Sequence, residues 1–312
     1  MNRTAGAGAR TAAVDVLVVG AGPAGLAAAT ALSATGVTVD VVDRARDAPP
    51  GVRGGVTAIG WAAPRTLDLV GPAGPERVAA GAVVLATGAR ERPRGARLVP
   101  GTRPAGVYTG GELIGAVRRG TPIGRRAVVV GGERISDTAV RTLRGAGVLV
   151  AAMVTDEDAP ARRARTQPIA RAVVTRLYGV DRLSGVGIRL RDGRTRTLSC
   201  DTVVFTGDWI PEHELARRAG AAIDPGTRGP VVDGGHRTTV PGVFAVGSLL
   251  NGSDPANSAA RQGRSLAGPV LDYLADGAWP PDGPGASASI GSSSAADQLK
   301  LGALRVSPVN GS

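Results

Sequence analysis

Cysteine is almost absent from this 312-residue chain: Cys200 stands alone. Within the chain that excludes an internal disulfide, a CxxC redox pair and a cysteine-ligated cluster or zinc site, and it suits a reducing compartment. Aromatic residues make up only 3%, so the core has to be built from Val, Leu and Ala, which fits buried parallel strands better than an aromatic-rich sandwich. His213 and His236 are the only histidines. No Ser/His/Asp set, metal-ligand cluster or carboxylate pair stands out, so hydrolase chemistry has no residue support and no catalytic residue is named. No apolar run reaches membrane-spanning length without glycine or charge, and residues 1–13 lack a signal-peptide core. A soluble, cytoplasmic protein with no membrane contact is expected.

Lysine is equally scarce. Lys300 is the sole lysine among 37 basic residues, against 26 acidic ones, and the formal net charge is +11. A nucleic-acid partner is not expected from this charge, because the arginines are spread along the whole chain and no binding motif accompanies them. With 43% hydrophobic and 20% charged residues, the composition is ordinary for a globular α/β protein of two modest domains.

Val16-Leu17-Val18-Val19 is a short, β-branched run that stops at Gly20, the pattern of a buried strand entering a tight turn. Residues 26–34 read as a helix, and 37–42 as a second strand closing on Asp43. Together they make a right-handed βαβ unit. Between its first strand and its helix lies Gly20-Ala21-Gly22-Pro23-Ala24-Gly25. In such a turn the first glycine permits the bend, the second lets the backbone approach a pyrophosphate, and the third lets helix and strand pack closely. The helix starting near Pro23 aims free N–H groups and its positive dipole end at the diphosphate. Asp43 stands where a carboxylate accepts the ribose hydroxyls. Arg44 and Val56 join it as candidate cofactor contacts.

Residues 44–55 read as loop, then 56–59, 66–70 and 77–86 as short strands, two of them joined by a turn at Pro72-Ala73-Gly74. A second strand-turn-helix follows: a strand at 127–130, Gly131-Gly132, a helix to 147 and a strand at 148–154. A hairpin turn is expected at Arg191-Asp192-Gly193, a buried strand at 202–206, a strand and turn at 240–247, and one helix over 257–276. Residues 281–312 are Gly, Ser, Ala and Pro with little periodicity, the composition of a disordered tail.

Val83-Val84-Leu85-Ala86-Thr87-Gly88-Ala89-Arg90 is a buried strand running into a small-residue turn. With the first glycine motif, the second at Gly131 and the late segment 241–247, it makes four motifs in one order. At these residues the chain resembles the large FAD/NAD(P)-dependent oxidoreductase family with paired dinucleotide-binding domains, the pyridine nucleotide-disulfide oxidoreductase type, over most of 15–276. The resemblance implies an α/β fold of two Rossmann-like domains, the second inserted into the first. The FAD-binding domain would be 13–109 plus 238–280 and the second, NAD(P)-binding-like domain 120–237. It places Ala86, Thr87 and Gly88 beside FAD, Gly247 and Ser248 along the ribityl-diphosphate side, and a second nucleotide, NAD(P), near Gly131.

Within that family, Thr87-Gly88-Ala89-Arg90-Glu91-Arg92-Pro93 and Pro104-Ala105-Gly106-Val107-Tyr108-Thr109 are most similar to the FAD subunits of opine oxidase, hydrogen cyanide synthase and sarcosine-oxidase-like amine oxidases. This implies a small amine or amino-acid-like substrate giving a hydride to FAD, often beside a partner subunit. NAD(P)H is the other donor the family implies. The alternative is a noncatalytic or truncated flavin- or nucleotide-binding subunit acting through a partner protein.

Several departures qualify the match. Glu133 takes the middle glycine position of the second motif and Ser136 the third, setting an anion where a pyrophosphate should approach. NAD(P) is therefore in question there. Ser248 replaces the aspartate the wider family carries. Asp43 and Thr87 stand closer together than in family members, so a helix and a strand of the first domain are expected to be missing, leaving apolar surface that something else must cover. Residues 156–171 look too irregular for a helix. Asp208 and Trp209, after a buried strand, suit either a ligand contact or loop packing. His213 and His236 read as solvated surface, and Cys200 as packing.

Overall fold

The structure, a computed structural model, describes residues 10–156 and 168–280. The tail expected at 281–312 and most of the irregular stretch 156–171 lie outside them.

The first unit is built on β1 (Arg10–Val19), α1 (Pro23–Ser33), β2 (Val39–Asp43), β3 (Arg53–Gly54), β4 (Thr57–Ala63), β5 (Thr66–Gly71) and β6 (Gly74–Leu85). Its sheet runs β3-β2-β1-β6-β5-β4. β1 is parallel to both β2, with Val18 opposite Val41, and β6, with Val18 opposite Val84. The antiparallel β5 joins only the first half of β6, where Leu67 faces Val78. β2 passes to the parallel β3 through residues 44–52, which hold no helix.

The chain then leaves through β7 (Ala89–Glu91) and builds the second unit: β8 (Val107–Thr109), α2 (Gly110–Arg118), β9 (Arg126–Val130), α3 (Arg134–Gly145), β10 (Leu149–Val154), β11 (Pro168–Ile169), β12 (Ala172–Gly179), β13 (Leu183–Leu190), β14 (Thr195–Ser199) and β15 (Thr202–Phe205). Its parallel sheet is ordered β11-β10-β9-β15-β8, and β12-β13-β14 form a separate antiparallel sheet. The return strand β16 (Trp209–Pro211) pairs antiparallel with β7 as a two-stranded ribbon between the units. α4 (Glu214–Arg218), β17 (Val243–Ala245), α5 (Ala256–Ser265) and α6 (Ala267–Asp276) complete the chain. β17 lies parallel to the second half of β6, with Phe244 opposite Val84. The second unit is thus inserted into the first.

Alternation along each strand divides the cores. In the first sheet Val16, Val18 and Val84 face the helices, packing with Ala24, Ala28, Leu32, Leu266 and Val270. Leu17, Val19, Val83 and Leu85 face the other way, against Leu215, Ala216, Ala221 and Leu249. This second face is the apolar surface that something else had to cover, and α4 and the segment after it cover it. In the second unit Ala127, Val129 and Val204 meet α2 and α3 through Leu113, Ala116, Val140 and Leu143. Val128, Val203 and Phe205 meet the antiparallel sheet through Leu177, Val186, Ile188 and Cys200. Three of the scarce aromatics, Phe244, Tyr273 and Trp279, cluster where β17 meets α6, with Phe244 and Trp279 edge to face at 5.2 Å between ring centroids.

One expected helix is two. Residues 257–276 break between α5 and α6, because Pro269 has no N–H and its ring would clash with the carbonyl of residue 265 in a continuous helix. As the third residue of a fresh helix it is tolerated. Gly277, left-handed at φ 70°, then stops α6.

Candidate functional site

Gly20 sits at φ 109°, and a Cβ added there would lie 2.2 Å from the Ala86 carbonyl oxygen. A Cβ on Gly25 would lie 1.9 Å from the Gly20 carbonyl oxygen. Both positions require glycine, the first for its left-handed backbone and both for close packing. Gly22 differs: nothing lies within 4 Å of where its Cβ would be, which leaves its backbone open on the side a diphosphate approaches. Gly22 is the N-cap of α1, Pro23 follows in the first turn, and no side chain caps the helix. Its first amides are free for an anion.

The acid at the end of β2 is tied into this turn. Asp43 Oδ2 accepts from the Ala21 N–H at 2.6 Å and Oδ1 from the Ala45 N–H at 2.7 Å. Beside it opens a cavity of about 270 Å³ whose wall includes Gly20, Asp43, Arg44, Val56 and Thr87. Ala86 backs the turn. Gly88 lies at the rim, its carbonyl accepting from the Glu212 N–H at 2.9 Å, while Thr87 Oγ1 donates to the Glu212 carbonyl at 2.8 Å. Gly247, at φ 75°, presses on α1, for a Cβ there would lie 2.8 Å from the Ala24 Cβ. Its N–H donates to Gln262 Oε1 at 2.8 Å, and Ser248 Oγ accepts from the Asp254 N–H at 3.2 Å. Gly247 and Ser248 therefore meet the turn from the α1 side and do not line the cavity.

Besides the strand residues Val19, Val42, Thr57 and Ala58, the cavity wall holds three residues from far along the chain that the sequence reading did not mark: Glu212, Glu214 and Leu215. They come from the return segment after β16. No local pattern marks them as nucleotide contacts, because they reach the first turn only through the β7–β16 ribbon.

Gly131 lies apart from this group, in a crevice of about 530 Å³ at the ends of β9, β10 and β15, with Glu133, Asp156, Arg97 and Phe205 among its lining. Ser136 fits the third motif position because its buried hydroxyl pairs with Thr206 Oγ1 at 2.7 Å, and Thr206 donates to the Val130 carbonyl at 2.9 Å. The Glu133 carboxylate lies over Gly207, with the Trp209 indole N–H pointing to its Oε2 at 3.4 Å. Arg97 stacks 5.3 Å above the Phe205 ring and donates to the Gly207 and Arg92 carbonyls at 2.8 and 3.0 Å. Burial holds the Arg97 guanidinium below the usual arginine range, against the pull of Asp208. The Glu133 carboxylate thus stands on the wall of the crevice, an anion beside the turn that a pyrophosphate would approach.

Asp208 and Trp209 pack against neighbours, and Asp208 also lines the Gly131 crevice. Asp208 pairs with Arg92 at 2.6 Å, and Trp209 is held in β16 opposite Glu91. The solvated reading of the histidines is corrected. Both are half-buried with a buried Nδ1 that has no hydrogen-bond partner, and His236 Nε2 meets Ser265 Oγ at 3.2 Å where its turn tucks against α5. Cys200 is buried, and desolvation with the neighbouring Asp201 pushes its thiol up to about 11. Among the described residues no group of three or more His, Cys, Asp or Glu could hold a metal ion, and no helix is long and apolar enough to cross a membrane.

Two open α/β sheets, each with a glycine turn at its carboxyl edge and joined by a ribbon, define an architecture. The family described as pyridine nucleotide-disulphide oxidoreductase matches residues 52–263, and an FAD binding domain matches 13–87. The chain belongs to the pyridine nucleotide-disulphide oxidoreductase family. As a member it is an FAD-dependent oxidoreductase, and the first turn fits the diphosphate of that cofactor: two glycines packed against backbone, one open, uncapped amides and an acid at the end of β2.

Sarcosine oxidase subunit alpha from Rhizobium meliloti (strain 1021) is 28% identical over 254 residues, 66% of this chain but 25% of that protein. The chain therefore spans only a quarter of that relative's length. Ferredoxin–NADP reductase from Salinispora arenicola (strain CNS-205) is 30% identical over 293 residues, 76% of this chain and 86% of the relative. Among solved structures, T. acidophilum thioredoxin reductase is similar with a TM-score of 0.65 at 22% identity, covering 85% of this chain and 99% of that one. An FAD-dependent pyridine nucleotide-disulphide oxidoreductase from Desulfovibrio vulgaris gives 0.62 at 23% identity, covering 83% and 71%.

Proposed function

We propose that this chain holds FAD with its ADP half at the first glycine turn and takes a hydride from a small amine or amino-acid-like donor, working beside a partner subunit. The observation that carries the reading is the pairing of an intact first turn with an obstructed second one. The turn offers an open Gly22, uncapped helix amides and Asp43 at the strand end, whereas Glu133 sets an anion at the second turn, where a nicotinamide dinucleotide would place its pyrophosphate.

When bound, FAD supplies a two-electron acceptor in its ring system. The chain's own residues hold and orient it. The α1 amides would take the diphosphate charge, and the Asp43 carboxylate would accept from the ribose hydroxyls. Thr87 and Gly88 fix the floor through Glu212. Thiol relay is excluded within this chain, because the sole cysteine is buried, has no partner thiol and is protonated at neutral pH. The amine class rests on the likeness of residues 87–93 and 104–109 to amine-oxidase FAD subunits, and on the similarity to sarcosine oxidase subunit alpha.

A second reading, with NAD(P)H as donor, is favoured by the surviving crevice, where Asp156 follows β10 much as Asp43 ends β2. Spectroscopy of the purified chain separates the readings. Stoichiometric FAD that bleaches anaerobically with sarcosine or another N-alkyl amino acid supports the proposal. Bleaching by NADH or NADPH alone supports the second reading. A colourless chain that refuses added FAD leaves a noncatalytic subunit.

A further inference from the structure

The cavity at the first turn has walls from two distant stretches of the chain. Asp43, Arg44 and Val56 come from the first sheet, and Glu212, Glu214 and Leu215 from the segment that returns through the ribbon. The reason lies in the β2 to β3 connection. Residues 44–52 supply no helix there, and α4 takes up the sheet face instead, with the Trp61 indole N–H donating to the Leu215 carbonyl at 2.8 Å and Arg218 to the Ile59 carbonyl at 2.7 Å.

Glu212 is the pivot of this arrangement. Its backbone is fixed on both sides, the N–H to Gly88 and the carbonyl to Thr87. Its carboxylate, 16% exposed, reaches Arg90 at 2.5 Å and Arg44 at 3.5 Å. Arg90 also meets Glu214 at 3.2 Å. Arg44 is largely exposed, so its pair alone contributes little. Arg90, in the ribbon and bridging two carboxylates of the return segment, is the stronger contact.

We infer that Glu212 is a positioning residue for the adenosine end of FAD. Through Arg44 and Arg90 it locks the return segment over the cavity, so that cofactor binding and docking of the ribbon and return segment onto the first sheet stabilise each other. The inference rests on the FAD reading of the first turn. Coupling of this kind is reciprocal: whatever loosens the Glu212 clasp weakens FAD, and whatever removes FAD loosens the ribbon.

The test uses the full chain, stripped of flavin, as wild type, Glu212→Gln and Arg90→Ala. FAD and ADP affinities are measured by calorimetry, together with FAD-induced protection of the β7 and β16 ribbon in hydrogen exchange. Both variants should bind FAD and ADP about tenfold more weakly or worse and lose most of that protection. A charge-swapped pair, Glu212→Arg with Arg90→Glu, should recover part of both.

A purely structural clasp would lower the melting temperature yet leave affinity and protection at wild-type values, and that result overturns the inference. Because ADP and FAD both probe the first turn, a wild type that binds neither overturns the FAD reading and this inference together. A wild type that binds both, with variants unchanged, overturns the inference alone. Should Glu212→Gln fail to fold, Arg90→Ala, altered on the more exposed partner, carries the same comparison.

Discussion

At position 133 a single carboxylate decides what the second turn can accept. The middle residue of a nucleotide turn must let a pyrophosphate come close to the backbone, and Glu133 places an anion there, extended over Gly207. Two like charges about 4 Å apart repel by about 4 kcal/mol at an effective dielectric of 20, and the exposure of Glu133 reduces this through solvent and salt. Glu133→Gly is therefore expected to strengthen NADH binding at least tenfold, read by nicotinamide fluorescence titration, which does not require FAD. Unchanged affinity would assign the obstruction to Arg97 and Trp209 instead. The charge conflict at 133 is legible from sequence alone because it depends on residue type and position. The role of Arg97 is not, since it reaches Phe205 and Gly207 across the fold.

α2 shows how an element can carry its own instructions and still go unread. The Thr109 hydroxyl accepts from the Glu112 N–H at 3.3 Å, and the Glu112 carboxylate accepts from the Thr109 N–H at 2.7 Å, a reciprocal capping box. Glu91, from the ribbon, adds a second carboxylate on the Gly110 and Gly111 N–H groups at 3.2 and 2.6 Å, opposing the helix dipole. Thr109→Ala should cost about 1 kcal/mol, read as a lower urea midpoint with an unchanged slope. The Thr-x-x-Glu spacing is present in the sequence, but the two glycines between them weaken the helical pattern. By contrast β1, α1 and β2 were legible because a glycine pattern fixes turn, helix start and strand end at once. The split of α5 from α6 turns on one proline.

Across the whole molecule, the shortened first unit is compensated from outside itself. α4 and residues after it supply the buried Leu215, Ala216, Ala221 and Leu249 that complete the second face of the sheet, a substitution no local pattern announces. A ligand that binds only the folded state adds about 2.7 kcal/mol at a hundredfold excess over its Kd. Stripping FAD from the chain should accordingly lower the melting temperature by several degrees, and readdition should restore it. A melting curve indifferent to FAD would count against the first turn as its site.

β6 has a consequence in time as well as in space. Its second half is flanked by β1 from the start of the chain and by β17, which is made only after the entire inserted unit. During synthesis the parallel sheet of residues 107–205 can close on itself while the first sheet still lacks its last strand and the cover over one face. Such non-local pairing is slow, and until residue 245 has left the ribosome the nascent chain presents Leu17, Val83 and Leu85 to whatever holds unfinished chains out of aggregates.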